Sequence, residues 1–466
     1  MPNPHIHLDG AEFLTPLTKG LAEPHAPAAL GVNTEKSAKG NRAVTDAIPQ
    51  FQDWRESARQ IKTYALANLD KLLVQFERNI TARGATVLWA KDAAEANQYI
   101  LDIARENKVK SVVKSKSMVT EEMELNKVLE EGGIRAVETD LGEYIVQLAG
   151  QRPVHIVTPA IHMSVADVGH LFADKLNEPY TVKHEELTAM ARKHLRNEYL
   201  QAGMGISGCN FAVADTGTVV VIENEGNAGL STATPPVHVV LMGIEKILPS
   251  IDYLPVFLNL LPRSGTGQKL TAYTHLIHGP APGRKLYVII LDNGRSNVLE
   301  DPAAWRALHC IRCGACLNNC PVYRRAGGWA YGWVYPGPIG SILTPHLLGM
   351  RKAGILPFAS SLCGACAEVC PVKIDIPHQL VHLRHRAVNE PSPMKSFSER
   401  MMWLAWSWAM AGPLRYKMTM WGVRVGVRMA KFLPWHPGKL GAWTRGRELP
   451  QPAGPPFRKW WRKNKK

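Results

Sequence analysis

The sequence predicts an α/β protein in three parts: a body built on a mostly parallel sheet, a small helical domain bearing cysteines, and a basic helical tail. Three observations predict this. From about residue 51 to 295, short apolar runs alternate with helical stretches, the pattern of strands joined by crossover helices. Seven of the eight cysteines lie between positions 310 and 370. Of a formal net charge of +15, the last 76 residues supply +14: Pro391–Lys466 holds sixteen Lys and Arg against Glu399 and Glu448, leaving the body nearly neutral.

Residues 1–54 are rich in Pro, Gly, Ala and His with little periodicity, and read as an arm. Its start, Met1-Pro2-Asn3-Pro4-His5, lacks the basic and apolar regions of an export signal, so the expected location is cytoplasmic. Between Phe51 and Arg83, Ile61, Leu66, Leu69, Leu72, Leu73 and Phe76 recur at near-helical spacing and predict a long amphipathic helix. Strands are expected at Thr86–Trp89, Ser111–Lys114 and Val154–Thr158, with helices at Ala93–Glu106 and Glu121–Glu131. Phe211–Ala214, Val219–Glu223, Val237–Met242 and Leu286–Leu291 read as buried strands, the first two joined by a hairpin at Asp215-Thr216-Gly217-Thr218.

The cysteines fall as Cys310-x2-Cys313-x2-Cys316-x3-Cys320-Pro321 and Cys363-x2-Cys366-x3-Cys370-Pro371. That is bacterial-type iron–sulfur spacing, in which the last cysteine of a run serves the other cluster. Cys310, Cys313, Cys316 and Cys370 are therefore expected to hold one cluster, and Cys320, Cys363 and Cys366 a second, both of [4Fe–4S] type. The repeat places Ser360 where the eighth ligand belongs, so the second cluster either takes Ser360 or is [3Fe–4S]. His378, His382 and His385 recur at helical spacing and offer a substitute ligand, though a solvated helix face explains them better. Zinc sites use C-x2-C pairs but not repeated runs ending in Cys-Pro. A chain of 466 residues buries a core without disulfide staples, and Cys209 reads as a small buried hydrophobe.

The segments Lys114–Glu122, Glu138–Glu143, Thr158–His162, Gly203–Asn210, Ala214–Gly217, Glu223–Asn227 and Arg263–Gln268, followed by the cysteine motifs, resemble the lactate utilization protein B family over nearly the whole chain. The resemblance implies a LUD-type α/β domain (55–298), a ferredoxin-type 4Fe-4S dicluster domain (299–390) and a basic Trp-rich C-terminal segment (391–466). It implies an iron–sulfur electron-transfer subunit of a system oxidising L-lactate to pyruvate, with a cysteine-rich component A, a small LUD component C and a respiratory electron acceptor. It leaves open which subunit oxidises lactate. The alternative is an enzyme in its own right, using an open-site three-cysteine cluster or the LUD pocket on a small hydroxy acid or acyl substrate.

Within the body, polar segments that follow predicted strands are the places for a ligand. Lys114 and Lys116, with Ser115, Ser117 and Thr120, either receive an anion at a helix start or form a helix cap with solvated lysines. Glu138, Asp140 and Glu143 read as a solvated loop face in preference to proton-transfer groups. Glu223-Asn-Glu-Gly-Asn227 resembles the glutamate loop of coenzyme A transferase-like folds, without a visible acid–base partner. Arg263-Ser-Gly-Thr-Gly-Gln268 is a candidate anion site, and the Gly- and aromatic-rich stretch Gly327–Pro338 is either a lid over the clusters or packing without function.

In the tail, Met401–Ala411 and Met418–Leu433 predict amphipathic helices with aromatic and cationic faces. They suit an acidic partner subunit, or a peripheral contact at the inner membrane face, and no nucleic-acid module accompanies them. The uncharged run Met401–Leu414 is shorter than the roughly 20 residues that cross a bilayer. The basic end, from Arg458 onward, is expected to be mobile.

Overall fold

A computed structural model of the chain describes residues 26–391, 397–430, 441, 444 and 457–465. Residues 1–25 of the expected N-terminal arm, and the last three residues of the second expected tail helix, lie outside that set. The chain divides into two compact units, 1–394 and 395–466.

Among the described residues, ten strands organise the first unit: β1 (Thr86–Ala90), β2 (Ser111–Lys114), β3 (Arg135–Glu138), β4 (Met204–Gly208), β5 (Phe211–Val213), β6 (Thr218–Glu223), β7 (Val237–Gly243), β8 (Ile247–Leu248), β9 (Tyr273–Ile277) and β10 (Lys285–Leu291). The larger sheet runs β1-β10-β7-β4-β2-β3, and every pairing in it is parallel. Helices cover both faces, which is why its central strands are apolar on both sides. Val239, Leu241 and Ile289 pack with Ile100 and Ile103 of the helix Ala93–Glu106, while Val240, Met242 and Ile290 pack with Leu72, Leu73 and Phe76 of the helix Leu69–Thr81. Full burial of a side chain such as Phe76 contributes about 2 kcal/mol. The smaller sheet runs β8-β5-β6-β9. Its β5–β6 hairpin turns at the expected Asp215–Thr218, where Gly217 has φ 63° and a Cβ would lie 2.5 Å from the Ile80 amide nitrogen, so the turn requires glycine.

Four expectations change. The long helix from Phe51 is two helices, Phe51–Ala67 and Leu69–Thr81, and the expected Glu121–Glu131 helix is Met118–Glu122 and Leu125–Glu131, separated at left-handed Glu124 (φ 52°). Val154–Thr158 is no strand. His155 folds it into a turn by accepting at Nδ1 from the Val157 and Thr158 amides (3.0 and 3.1 Å), and the segment packs on the cysteine domain through Tyr323 Oη, which donates to the Val154 carbonyl at 2.6 Å. Ala26–Asp46 is a helix where the sequence reads as an unpatterned arm. Its buried stripe is Leu30, Thr34, Ala38, Asn41 and Thr45, at helical spacing but polar at three positions, so hydropathy hides it.

The cysteine domain is built on the helices Gly337–Leu348 and Ile376–Asn389, with short turns at Ala315–Asn318, Tyr323–Ala326 and Ala365–Glu368 carrying the motifs. Its core is continuous with the body: Phe257 and Leu260 share one cluster with Leu317, Ile342 and Leu380. The second unit contains the helices Phe397–Met410, Pro413–Ala430 and Phe457–Asn464, the last occupying the end expected to be mobile. Trp403, Trp406, Trp408 and Trp421 are exposed, and the Arg415 guanidinium lies over the Trp408 ring. No helix among the described residues is long and apolar enough to cross a membrane.

Candidate iron–sulfur centre and adjoining cavity

The first motif enters through a short 3-10 turn, Trp305–His309, and passes Arg312 in a left-handed conformation (φ 61°), which turns the chain back between Cys310 and Cys313. Leu362 does the same before Cys363 (φ 55°). Cys313, Cys320, Cys366 and Cys370 are buried, Cys310 and Cys316 half-buried, and Cys363 exposed. Burial raises the Cys313 thiol, and the nearby thiols of Cys310 and Cys370 raise it further. Cys316 is raised by burial and then by Cys310, Cys313 and Cys370, with Cys366 next. Cys366 is pushed up to about 12 by burial, with Cys320 and Cys363 adding to it. Thiols thus interact across the two motifs: Cys370 acts on Cys313 and Cys316, Cys320 on Cys366, and Cys366 also on Cys316. Burial and crowding keep these thiols protonated on their own, and a thiophilic metal cluster would supply the positive charge that lets them ionise. Main-chain amides already point at the sulfurs: Arg312 N donates to Cys310, Tyr323 N to Cys320 and Ile374 N to Cys370, each at 3.4 Å.

The surroundings are dry and aromatic. Tyr323, and Tyr331 and Tyr335 of the Gly- and aromatic-rich stretch, are buried, and Tyr323 and Tyr331 interact with Cys316 and Cys320. Arg55, from the helix Phe51–Ala67, donates to the Cys370 carbonyl at 2.9 Å and fixes the second motif's end. The Ser360 hydroxyl accepts from the Leu362 amide at 3.1 Å. Of the three histidines, His378 is exposed, His382 pairs with Asp301 at 2.9 Å and His385 contacts Asn389, so this helix face is solvent-facing or paired.

A buried ionic network joins the sheet to the first motif. Arg295 forks onto Glu122 (Nη1–Oε1 and Nη2–Oε2, both 2.9 Å) and reaches Glu245 at 2.6 Å. Glu245 also meets Arg312 at 3.4 Å, and the Tyr335 hydroxyl donates to Glu122 at 2.6 Å. Lys62 donates to the Glu245 carbonyl. Burial acts to raise the Glu245 carboxyl, but the charges of Arg295, Lys246 and Arg312 hold it down at about 2. Burial also lowers the Lys62 ammonium, to about 7.

The carboxyl ends of β2, β3, β4 and β7 open into a cavity of about 320 Å³, whose far wall is Arg312, Cys313 and Tyr335 of the cysteine domain. The polar segments singled out from sequence gather around it, with altered roles. Lys114 is fully buried and pairs with Glu138 (2.7 Å) and Glu121 (2.8 Å), while Lys116 pairs with Asp140 at 3.0 Å. Ser117 caps the helix Met118–Glu122. Glu138, Asp140 and Glu143 are buried and not a solvated face: their lysine partners stand on the adjacent strand's end, beyond what local sequence reveals. Glu223 accepts from the Ala228 and Gly229 amides (2.8 and 2.7 Å) and pairs with His275 at 2.6 Å. Arg263 Nη1 donates to the Asn259 carbonyl and side chain and to the Lys269 carbonyl, and its guanidinium lies over the Trp54 ring, while its Nε has no partner. Cys209 is buried, and burial pushes its thiol up to about 12. Sequence reasoning missed Lys246, Glu245, Glu122 and Arg295. Their one local signal is position, since Glu245 and Lys246 follow the end of β7.

A parallel α/β domain running into paired cysteine motifs defines an iron–sulfur protein of LUD type, and the family models agree. The LUD domain matches residues 73–294, the 4Fe-4S dicluster domain 306–374, and the lactate utilisation protein B C-terminal model 381–466. Proteins named lactate utilization protein B from Oceanobacillus iheyensis (42% identical, covering 91% of this chain and 90% of theirs) and Shouchella clausii (40%, covering 99% and 98%) are similar to it over most of their length. The chain belongs to the lactate utilization protein B family, and its place is an iron–sulfur role in lactate utilization.

Proposed function

We propose that this chain is the electron-transfer subunit of an L-lactate oxidation system, with Cys310, Cys313, Cys316 and Cys370 holding one [4Fe–4S] cluster and Cys320, Cys363 and Cys366 the other. When bound, such clusters supply one-electron acceptance and release between lactate oxidation and a respiratory acceptor. What supports this reading is the motif spacing together with thiols that act on one another across the two motifs, Cys370 on Cys313 and Cys316 and Cys320 on Cys366. The chain's own residues set the conditions: buried tyrosines exclude water from Cys316 and Cys320, and three amides hydrogen-bond to sulfur, which favours the reduced state. Ser360 stands as the candidate fourth ligand of the second set; a [3Fe–4S] cluster is the other form of that site. Components A and C are the proposed partners. The exposed tryptophans and cations of the second unit are proposed to cover an acidic partner surface, in a cytoplasmic protein that approaches the inner membrane face only peripherally.

Anaerobic redox titration followed by EPR tests the proposal. Two signals that titrate within the range of iron–sulfur proteins support it, and clusters that never change oxidation state would sink it. Lactate-driven reduction of the isolated chain, without partners, would transfer the reading to an enzyme in its own right.

A further inference from the structure

The ionic network behind the first motif carries more positive charge than it can pair. Lys62, Glu122, Glu245, Lys246 and Arg295 are buried, and so is the Arg312 side chain. With every group ionised, four cations stand against two carboxylates. Arg295 alone takes both oxygens of Glu122 and one of Glu245. The remaining Glu245 oxygen meets Arg312 only at 3.4 Å. Lys62 turns instead to the Glu245 main-chain carbonyl, and Lys246 lines the cavity wall with Arg312 and Cys313. Burial of cations is costly without matching anions, so the surplus calls for negative charge that these residues do not supply.

The surplus faces one thiol. Arg312 lies inside the first motif, its amide donates to the Cys310 sulfur at 3.4 Å, and Lys62, Lys246 and Arg312 all interact with the Cys310 thiol. Arg55, also buried, stands at the other end of the same set, on the Cys370 carbonyl and near its thiol. The second set is different. Cys320 has Arg324 nearby, but Arg324 is already paired with Glu35 at 2.6 Å, and Cys363 is exposed. A [4Fe–4S] core on four thiolates is a dianion when oxidised and gains a further negative charge on reduction, so surrounding charge moves its potential. We propose that Lys62, Lys246 and Arg312 are the counter-charge of the first cluster, left unpaired within the protein so that they favour its reduced state and raise its potential. Glu245 opposes them and sets how far. This assigns redox tuning to residues that include two outside both cysteine motifs, and it rests on the iron–sulfur reading.

The full-length chain, purified anaerobically with its clusters, is titrated potentiometrically with EPR detection, and the signal lost in Cys363→Ala marks the second cluster. Lys246→Met should lower the reduced-to-oxidised ratio of the first cluster at a fixed potential about tenfold, equivalent to about 59 mV for a one-electron couple. Lys246→Arg, which keeps the charge, should restore it. Glu245→Gln should move the same cluster the opposite way, to higher potential. A merely structural role for the network would not give opposite signs for neighbouring substitutions. Should Lys246→Met fail to load iron, Lys62→Met carries the same prediction, and should that fail too, Glu245→Gln decides by whether the potential rises. A first-cluster potential that these substitutions leave unmoved overturns the inference. So does a shift shared equally by both clusters, or a fall in Glu245→Gln. Redox-silent clusters would remove this inference and the electron-transfer reading together, whereas clusters that titrate but ignore these charges remove this inference alone.

Discussion

Replacing Arg295 with Met tests whether the ionic network between sheet and cysteine domain holds the first unit together. Arg295 is 1% exposed, and its partners Glu122 and Glu245 are 0% and 1% exposed. Removing one member of a buried pair typically costs about 3–5 kcal/mol, because the survivor is left charged and dry. Here one guanidinium serves two carboxylates. Tyr335 still donates to Glu122 and Arg312 still meets Glu245, which moderates the loss, so about 4 kcal/mol is expected. The network lies in the unit spanning residues 1–394. At an unfolding entropy of about 2.1 cal/mol/K per residue across that unit, the melting temperature falls by about 5 °C. Differential scanning calorimetry of the cluster-loaded chain reads this, with Arg105→Met as control. Arg105 pairs with Asp102 on the surface, where both side chains are about half exposed or more, and its loss should move the transition by less than about 1 °C. An Arg295→Met transition indistinguishable from that of Arg105→Met would refute the reasoning.

Other outcomes follow from particular residues. Glu245 is held at about 2, below the usual carboxylate value, so its contribution is complete above about pH 4.5 and is lost as pH falls through 2; urea midpoints should decline across that window, and less so in Glu245→Gln. Ser360→Cys should change the EPR spectrum of the second cluster, converting any [3Fe–4S] signal to a [4Fe–4S] one, while an unchanged spectrum places no iron beside residue 360. Gly205→Ala sets a Cβ 1.8 Å from the Ser231 carbonyl oxygen, so β4 must separate from the helix Asn227–Ala233; a loss of about 2 kcal/mol or more is expected, and a wild-type melting curve would contradict the packing. Arg55→Met frees the Cys370 carbonyl, and iron should be released faster to a chelator than from the wild-type chain.

The parallel sheet was legible because strands buried on both faces are nearly continuous apolar runs, as in Val237–Gly243 and Lys285–Leu291. The cysteine spacing likewise reads directly as cluster chemistry. What escaped was pairing at a distance. Glu138 looks solvated in its own segment, yet the β2–β3 register sets it beside Lys114, and only that neighbour makes its burial tolerable. Arg312 occupies a spacer position of the first motif, where no ligand is sought, and its partner Glu245 is 67 residues away. The helix Ala26–Asp46 was hidden for a different reason: Thr34 and Asn41 face inward because each finds a main-chain carbonyl, Leu30 and Arg263 respectively, so burial there does not follow hydropathy.

The sheet order has a consequence for synthesis on the ribosome. β1 is an edge strand whose sole neighbour is β10, so Thr86–Ala90 must wait for Lys285–Leu291 before it has a hydrogen-bonding partner. At about 5–20 residues per second, that delay is roughly 10–40 s. An apolar strand unpaired for so long is a target for chaperones and for aggregation, and the two cysteine motifs, from Cys310 on, emerge only after β10. Slowed translation or a depleted chaperone pool should therefore reduce the yield of this chain before any shortage of iron is felt.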